Sequence, residues 1–184
     1  MAILHQATLS PTKLTIVTDY LDMLGWGAGP VQQVGSYRYD DPEGEVGVEG
    51  ILATRGSDTF HLPFTYRGEP LKDAEPYLIT TMEHSVLGKR WVYDATHDPV
   101  AIGCYLRALA GEQDQATLNV YDAAEQLVEV REPTVVVKAE RRGPVAPDDL
   151  TLIRRLEEGV PVNPEAPALL AEWEGGNSAY IAFG

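Results

Sequence analysis

The hydrophobic period of this chain changes early from helical to two, and that change limits what it can build. Leu14, Val17, Leu21 and Leu24 recur at helical spacing, so they form one face of an amphipathic helix. Ser10 can cap this helix, Pro11 suits its first position and Gly25 ends it. Trp26-Gly27-Ala28-Gly29-Pro30 follows as a stiff, open turn. From Val34 onward the period is two. Val34–Asp40 reads as a strand with Tyr37 and Tyr39 on one side, and Asp41-Pro42-Glu43-Gly44 as a turn. Glu45–Thr54 follows as a strand with Val46, Val48 and Leu52 facing a core, and Thr59–Arg67 as another after the turn Arg55–Asp58. Strands joined by such short polar turns pair antiparallel, as a β-meander. Pro63 cannot donate to a ladder and predicts an edge or a bulge within the third strand.

Beyond a loop at Gly68–Pro76, Tyr77–His84 and Lys89–Ala95 read as a strand pair around Ser85–Gly88. A second helix is expected to start near Thr96–Asp98, with Pro99 just inside it. Val100, Cys104, Leu106 and Leu109 form its apolar surface and Gly111 stops it. Glu112–Ala123 is polar and reads as a loop or a short helical turn. Strands are expected at Gln126–Arg131, Thr134–Glu140, Leu150–Glu157, Leu169–Glu174 and Ala179–Phe183, although Leu152, Ile153 and Leu156 would also suit a helix. Gly143–Pro147 and Gly159–Pro167 are Pro-rich connections. The expected fold class is α+β, a curved and mostly antiparallel sheet with two main helices. At 184 residues, 44% of them hydrophobic, the chain is expected to form one domain over residues 1–184.

Charge and cysteine content narrow the partners. Acidic residues outnumber basic ones by 28 to 14, a formal charge of −14, so neither nucleic acid nor an anionic membrane is an expected partner. Cys104 is the single cysteine, which rules out an intramolecular disulfide and fits a reducing compartment. The start MAILHQATLSPTK has no basic n-region followed by an apolar run, and no apolar stretch reaches membrane-spanning length. The expected location is the cytoplasm.

The histidines are His5, His61, His84 and His97. His84 and His97, with Glu83, Asp94 and Asp98, could offer nitrogen and oxygen ligands, but their spacing matches no ligand pattern, so no metal and no cofactor is expected. Asp94, His97 and Asp98 are better explained as caps at a strand–helix junction. Lys89, Arg90, Trp91 and Tyr93 have the types that meet sugars and anions, although packing in the core is the plainer role for Trp91. The glycines around Trp26 neither follow a strand nor open a helix, so they are no phosphate loop. Asp40-Asp41 belongs to turn chemistry, and Cys104 is expected to be buried and inert. The candidate ligand or partner surface is His84, Arg90, Tyr93, Asp94 and His97; no catalytic residue is assigned.

Several segments together resemble the maltokinase N-terminal cap domains of actinobacteria. They are Ser10–Lys13 with its helix, Tyr39–Gly47, Leu62–Gly68 and, longest, Met82–Pro99. The resemblance covers roughly residues 8–110 and looks closest to free-standing members loosely labelled 1,4-alpha-glucan branching proteins. It implies a curved antiparallel sheet packed on helices and an association with maltose, trehalose and glycogen metabolism. The kinases that carry such caps place a His-Gly-Asp motif and metal-binding carboxylates in a separate lobe. No His-Gly-Asp occurs here, and His97-Asp98-Pro99 is a helix start. The expectation is a non-catalytic binding or regulatory module with a protein partner or a carbohydrate-related ligand. The alternatives are a homodimeric assembly protein, or a small enzyme of unknown type using residues 84–98.

Overall fold

In a computed structural model, residues 2–5, 7–121, 126–156 and 163–184 are described, with side chains from residue 7 onward. The helix α1, Lys13–Leu24, is capped by Thr12, whose side chain accepts from Thr15 N–H, and not by Ser10. Ser10 instead ends the short strand β2, Leu9–Ser10, which follows β1, Ala2–His5. The meander is β3, Val31–Tyr39; β4, Gly47–Arg55; and β5, Asp58–Arg67. Next come β6, Leu78–His84, and β7, Gly88–Asp94, then α2, Pro99–Ala110, capped by Asp98 through Val100 N–H. Both helices end at a glycine in left-handed conformation, Gly25 and Gly111, where a side chain would add strain.

The later strands are β8, Leu118–Tyr121; β9, Leu127–Arg131; β10, Val135–Arg141; β11, Thr151–Leu152; β12, Arg155–Leu156; β13, Ala168–Trp173; and β14, Asn177–Phe183. Two expectations are corrected here. The segment 112–121 is not wholly loop or helical turn, because Leu118–Tyr121 pairs antiparallel with β9 and parallel with β1. The stretch from Leu150 is strand as expected, but broken: its two halves join different sheets, β11 on β14 and β12 on β5. Residues 122 and 123 of the expected loop, Glu157, and residues 159–162 of the expected connection lie outside the described residues.

The large sheet is antiparallel and strongly curled, in the order β2-β6-β7-β5-β4-β3, with β12 beside β5. A four-stranded sheet runs β10-β13-β14-β11, and a three-stranded one β1-β8-β9. Period two gives the large sheet two apolar faces. Ile51, Ala53, Phe60, Leu62, Phe64, Met82 and Val92 meet Ile16, Val17, Tyr20 and Leu21 of α1. Tyr37, Tyr39, Val46, Val48 and Leu52 meet Ala101, Cys104, Tyr105, Ala108 and Leu109 of α2, with β10, β13 and β14 closing that core. Each fully buried Val, Leu, Ile, Phe or Met among them contributes about 1.5–3 kcal/mol in transfer free energy. Leu14, expected on the apolar face of α1, is 45% exposed; Ile16 and Tyr20 hold the face with Val17 and Leu21.

Pro63 sits in a central strand, neither at the edge of the sheet nor in a bulge, opposite Gly50 of β4. On its other side β5 pairs with β12 through Thr59 and Phe60 and with β7 from Phe64 on, so Pro63 falls in the gap between two partners. The missing N–H is tolerated at this local edge. Gly50 leaves room for the Tyr37 ring, which occupies the space a β-carbon would need.

Candidate functional site

The fold scatters the five residues singled out in the sequence. His84 closes the β6–β7 turn, its Nδ1 accepting from Val86 and Leu87 N–H at 3.3 and 3.1 Å. Arg90 donates to the Leu87 carbonyl at 2.5 Å in the same turn. Tyr93 is buried and accepts from Leu71 N–H at 2.9 Å. Asp94 is buried and paired. His97 is exposed and stacks on Tyr77, ring centres 3.5 Å apart. His84 and Arg90 line one cleft, and Tyr93, Asp94 and His97 are not among its lining residues. Trp91 is half-buried under Lys89, 4.9 Å from its ring centre, and belongs to neither core.

The capping role holds for two of its three residues. Asp94 accepts from Thr96 N–H at 3.0 Å and Asp98 from Val100 N–H at 3.0 Å, whereas His97 meets the Thr96 hydroxyl. Both aspartates also anchor cations. Asp94 takes the Tyr20 hydroxyl and Arg154, whose Nη1 lies 2.9 and 3.1 Å from its oxygens. Burial opposes ionisation of Asp94, but Arg154 and the Tyr20 hydrogen bond outweigh it and lower its pKa. Burial, together with the Asp94 carboxylate, pushes the Tyr20 hydroxyl up to about 12. Asp98 takes Arg67 in a bidentate pair at 2.6 and 2.7 Å and the Thr65 hydroxyl at 2.8 Å. The Asp98 pair locks β5 to the start of α2, and the Asp94 pair ties the end of β7 to Arg154 and to Tyr20 of α1.

A second buried network joins His61, Tyr37 and Tyr105. Ile153 presents a carbonyl to His61 Nδ1 at 2.9 Å, so that nitrogen carries the proton. Nε2 then accepts from the Tyr37 hydroxyl at 2.8 Å, and Tyr37 accepts from Tyr105 at 2.8 Å. Burial pushes the His61 pKa down to about 3, with Arg154 acting in the same direction, so the ring is neutral in the fold. Cys104 is fully buried, and burial raises its thiol pKa, which keeps it inert.

The cavity shared by His84 and Arg90 is large enough to admit a ligand. It is an open cleft of about 920 Å³ bordered by Lys13, Arg38, Tyr66, Arg90, Tyr121 and Arg131, among others. Behind its lining residues Lys13 and Arg38, Glu49, 2% exposed, interrupts the apolar run of β4. Arg38 stands directly opposite it on β3. Lys13 Nζ donates to both Glu49 oxygens at 2.8 Å, and Arg38 Nη2 reaches Oε2 at 3.3 Å. The Tyr66 ring lies beside both cations, 5.9 Å from Lys13 and 6.0 Å from Arg38. Burial would raise the Glu49 pKa, but Lys13 and Arg38 prevail and hold it at about 2. Sequence reasoning passed over Lys13, Arg38, Glu49 and Tyr66. The usable signal was a carboxylate between Val48 and Ile51 in a strand otherwise apolar enough for a core.

The comparison with protein families matches residues 23–98 to the maltokinase N-terminal cap domain. Over that stretch the chain is similar to maltokinase N-terminal cap domains. No curated protein and no solved structure matches the chain. The cap stretch runs from the last turn of α1 to Asp98, the N-cap of α2. It holds Arg38, Glu49, Tyr66, His84 and Arg90, whereas Lys13, Tyr121 and Arg131 reach the same cleft from outside it. Among the described residues, no group of three or more His, Cys, Asp or Glu is arranged to hold a metal ion, and no helix is long and apolar enough to cross a membrane.

Proposed function

We propose that this chain is a cap-type module that acts by binding and not by catalysis. Its ligand is a carbohydrate of maltose, trehalose or glycogen metabolism, and it works in the cytoplasm. The observation that carries this reading is the cleft itself: a ligand-sized opening in the cap stretch with Tyr66 and guanidinium groups on its walls. Aromatic faces and planar cations suit sugar hydroxyls and their substituents. The strongly shifted groups near neutrality also favour contact over chemistry. Glu49, at about 2, stays ionised, and His61, at about 3, stays neutral and enclosed, so neither is poised for proton transfer. Calorimetric titration of the purified chain with maltose, maltose 1-phosphate and glycogen tests the proposal. Saturable binding to at least one is expected, and a flat response to all three counts against it. ATP-dependent phosphorylation of maltose by the chain alone would refute the non-catalytic part.

A second reading, homodimeric assembly, draws on β9. This strand is an edge of the three-stranded sheet, and Leu127, Val128 and Val130 are 52, 48 and 54% exposed. Antiparallel pairing of two copies about Val130 would set Glu129 of each opposite Arg131 of the other. Light scattering distinguishes the readings: a monomer unaffected by Val130→Lys leaves only the first.

A further inference from the structure

Sheet edges are managed unevenly in this chain. An edge strand carries backbone groups that another strand can take up, so proteins cover or blunt it. The edge of β3 is covered: the Thr134 hydroxyl bonds both backbone groups of Ser36, and Ala116 N–H donates to the Arg38 carbonyl at 2.7 Å. The edge of β10 is covered by the Gln115 amide, which accepts from Val137 N–H and donates to the Val135 carbonyl. β9 has neither device. β8 pairs with one side of it, nothing among the described residues pairs with the other, and all five of its residues are exposed. Its charges, Glu129 and Arg131, pair with each other at 2.9 Å.

The register of β9 tells its faces apart. Directly opposite residues of an antiparallel pair point to the same side. Arg131 lies opposite Leu118 and Glu129 opposite Val120, both of which are buried, so Glu129 and Arg131 are on the face turned to the body of the protein. There Arg131 borders the cleft. Val128 and Val130 alternate to the outer face. Glu129 and Arg131 flank Val130 symmetrically with opposite charges, so an antiparallel seam centred on Val130 alternates four charges on its inner face. Centring on Glu129 or on Arg131 would set like charges face to face. The two-fold axis of such a seam stands perpendicular to the sheet and keeps both inner faces on one side.

We infer that β9 joins a second copy of this chain antiparallel about Val130, so that the partner's Glu129 completes the rim of each cleft beside Arg131 and both clefts lie on one side of a continuous sheet. This rests on the homodimeric reading and adds to it the register and the shared rim. Pro133, which has no N–H, ends the seam just past Arg131.

Disulfide trapping of the full chain reads the register, because the native thiol, Cys104, is buried. Val130→Cys sets the new thiol opposite its own copy, at a Cα separation of about 5 Å that a disulfide spans. Val128→Cys faces Glu132 and lies about 13 Å along the strands from its own copy, out of reach. Under mild oxidation Val130→Cys should run as a covalent dimer on a non-reducing gel and Val128→Cys as a monomer. In light scattering, Glu129→Arg should weaken self-association about tenfold, because arginines then face each other, and adding Arg131→Glu should restore it. Both residues are exposed, so neither change endangers folding. If the chain dimerises but trapping at position 130 is no stronger than at 128, or the double variant does not recover, this inference fails while assembly stands. A chain that is monomeric at every concentration overturns both.

Discussion

Acidification should unfold this protein through a single buried imidazole. His61 is fully enclosed, donates from Nδ1 to Ile153 and accepts the Tyr37 hydroxyl at Nε2, and its pKa lies at about 3. In the unfolded chain the same ring titrates at about 6.5. Between these values the unfolded state binds a proton that the folded state refuses, so stability rises with pH through the window and falls on acidification. From about pH 7 to about pH 5 the integrated loss is about 2 kcal/mol, growing toward about 5 kcal/mol as pH approaches the folded value. Stopping at about pH 5 keeps ordinary carboxylates, near about 4, out of the comparison. The control is His61→Gln, which can still accept from Tyr37 but cannot titrate. Urea unfolding of both proteins at the two pH values gives a difference of differences in which every shared group, and the easing of the −14 self-repulsion, cancels. The natural protein should lose about 2 kcal/mol more than the variant, or about 4–8 °C in melting temperature. Equal pH dependence of the two would refute the tautomer and the burial argument together.

Three further substitutions probe other parts of the fold. Glu49→Gln leaves Lys13 and Arg38 without their counter-charge and should cost about 3 kcal/mol in urea unfolding, because removing one member of a buried pair strands the other. Gly50→Ala drives a methyl group into the Tyr37 ring and should cost about 1–3 kcal/mol by the same assay, with the near-ultraviolet tyrosine signal altered. Asp98→Asn removes the charge that holds Arg67 and weakens the cap of α2; a loss of about 3 kcal/mol is expected, and Arg67→Met in the same background should recover part of it.

Local chemistry made much of the fold legible. The Asp41–Gly44 turn, the stop at Gly111 and the alternation of Tyr37 and Tyr39 are short-range signals, and each appears where the sequence puts it. What failed was long-range. Nothing near Leu118–Tyr121 announces a parallel partner at Ala2–His5, and nothing near Pro63 announces a gap between β12 and β7. The Glu49 cluster was illegible for the same reason. Lys13, Arg38, Glu49 and Tyr66 come from α1, β3, β4 and β5, and only the register of three strands and the seat of one helix bring them together. The sequence drew attention instead to residues 84–98, where polar side chains are dense because a turn, two caps and two ion pairs meet there.

The large sheet is greasy on both sides, and the family stretch ends at Asp98, one residue before the helix that shelters one of them. Cut out by itself, residues 23–98 would leave Tyr37, Tyr39, Val48 and Leu52 bare to water and would also lose most of α1 from the opposite side. A cap of this design is therefore the middle of a sandwich and not a finished object. In this chain α1 supplies one slice, and α2 with β10, β13 and β14 the other.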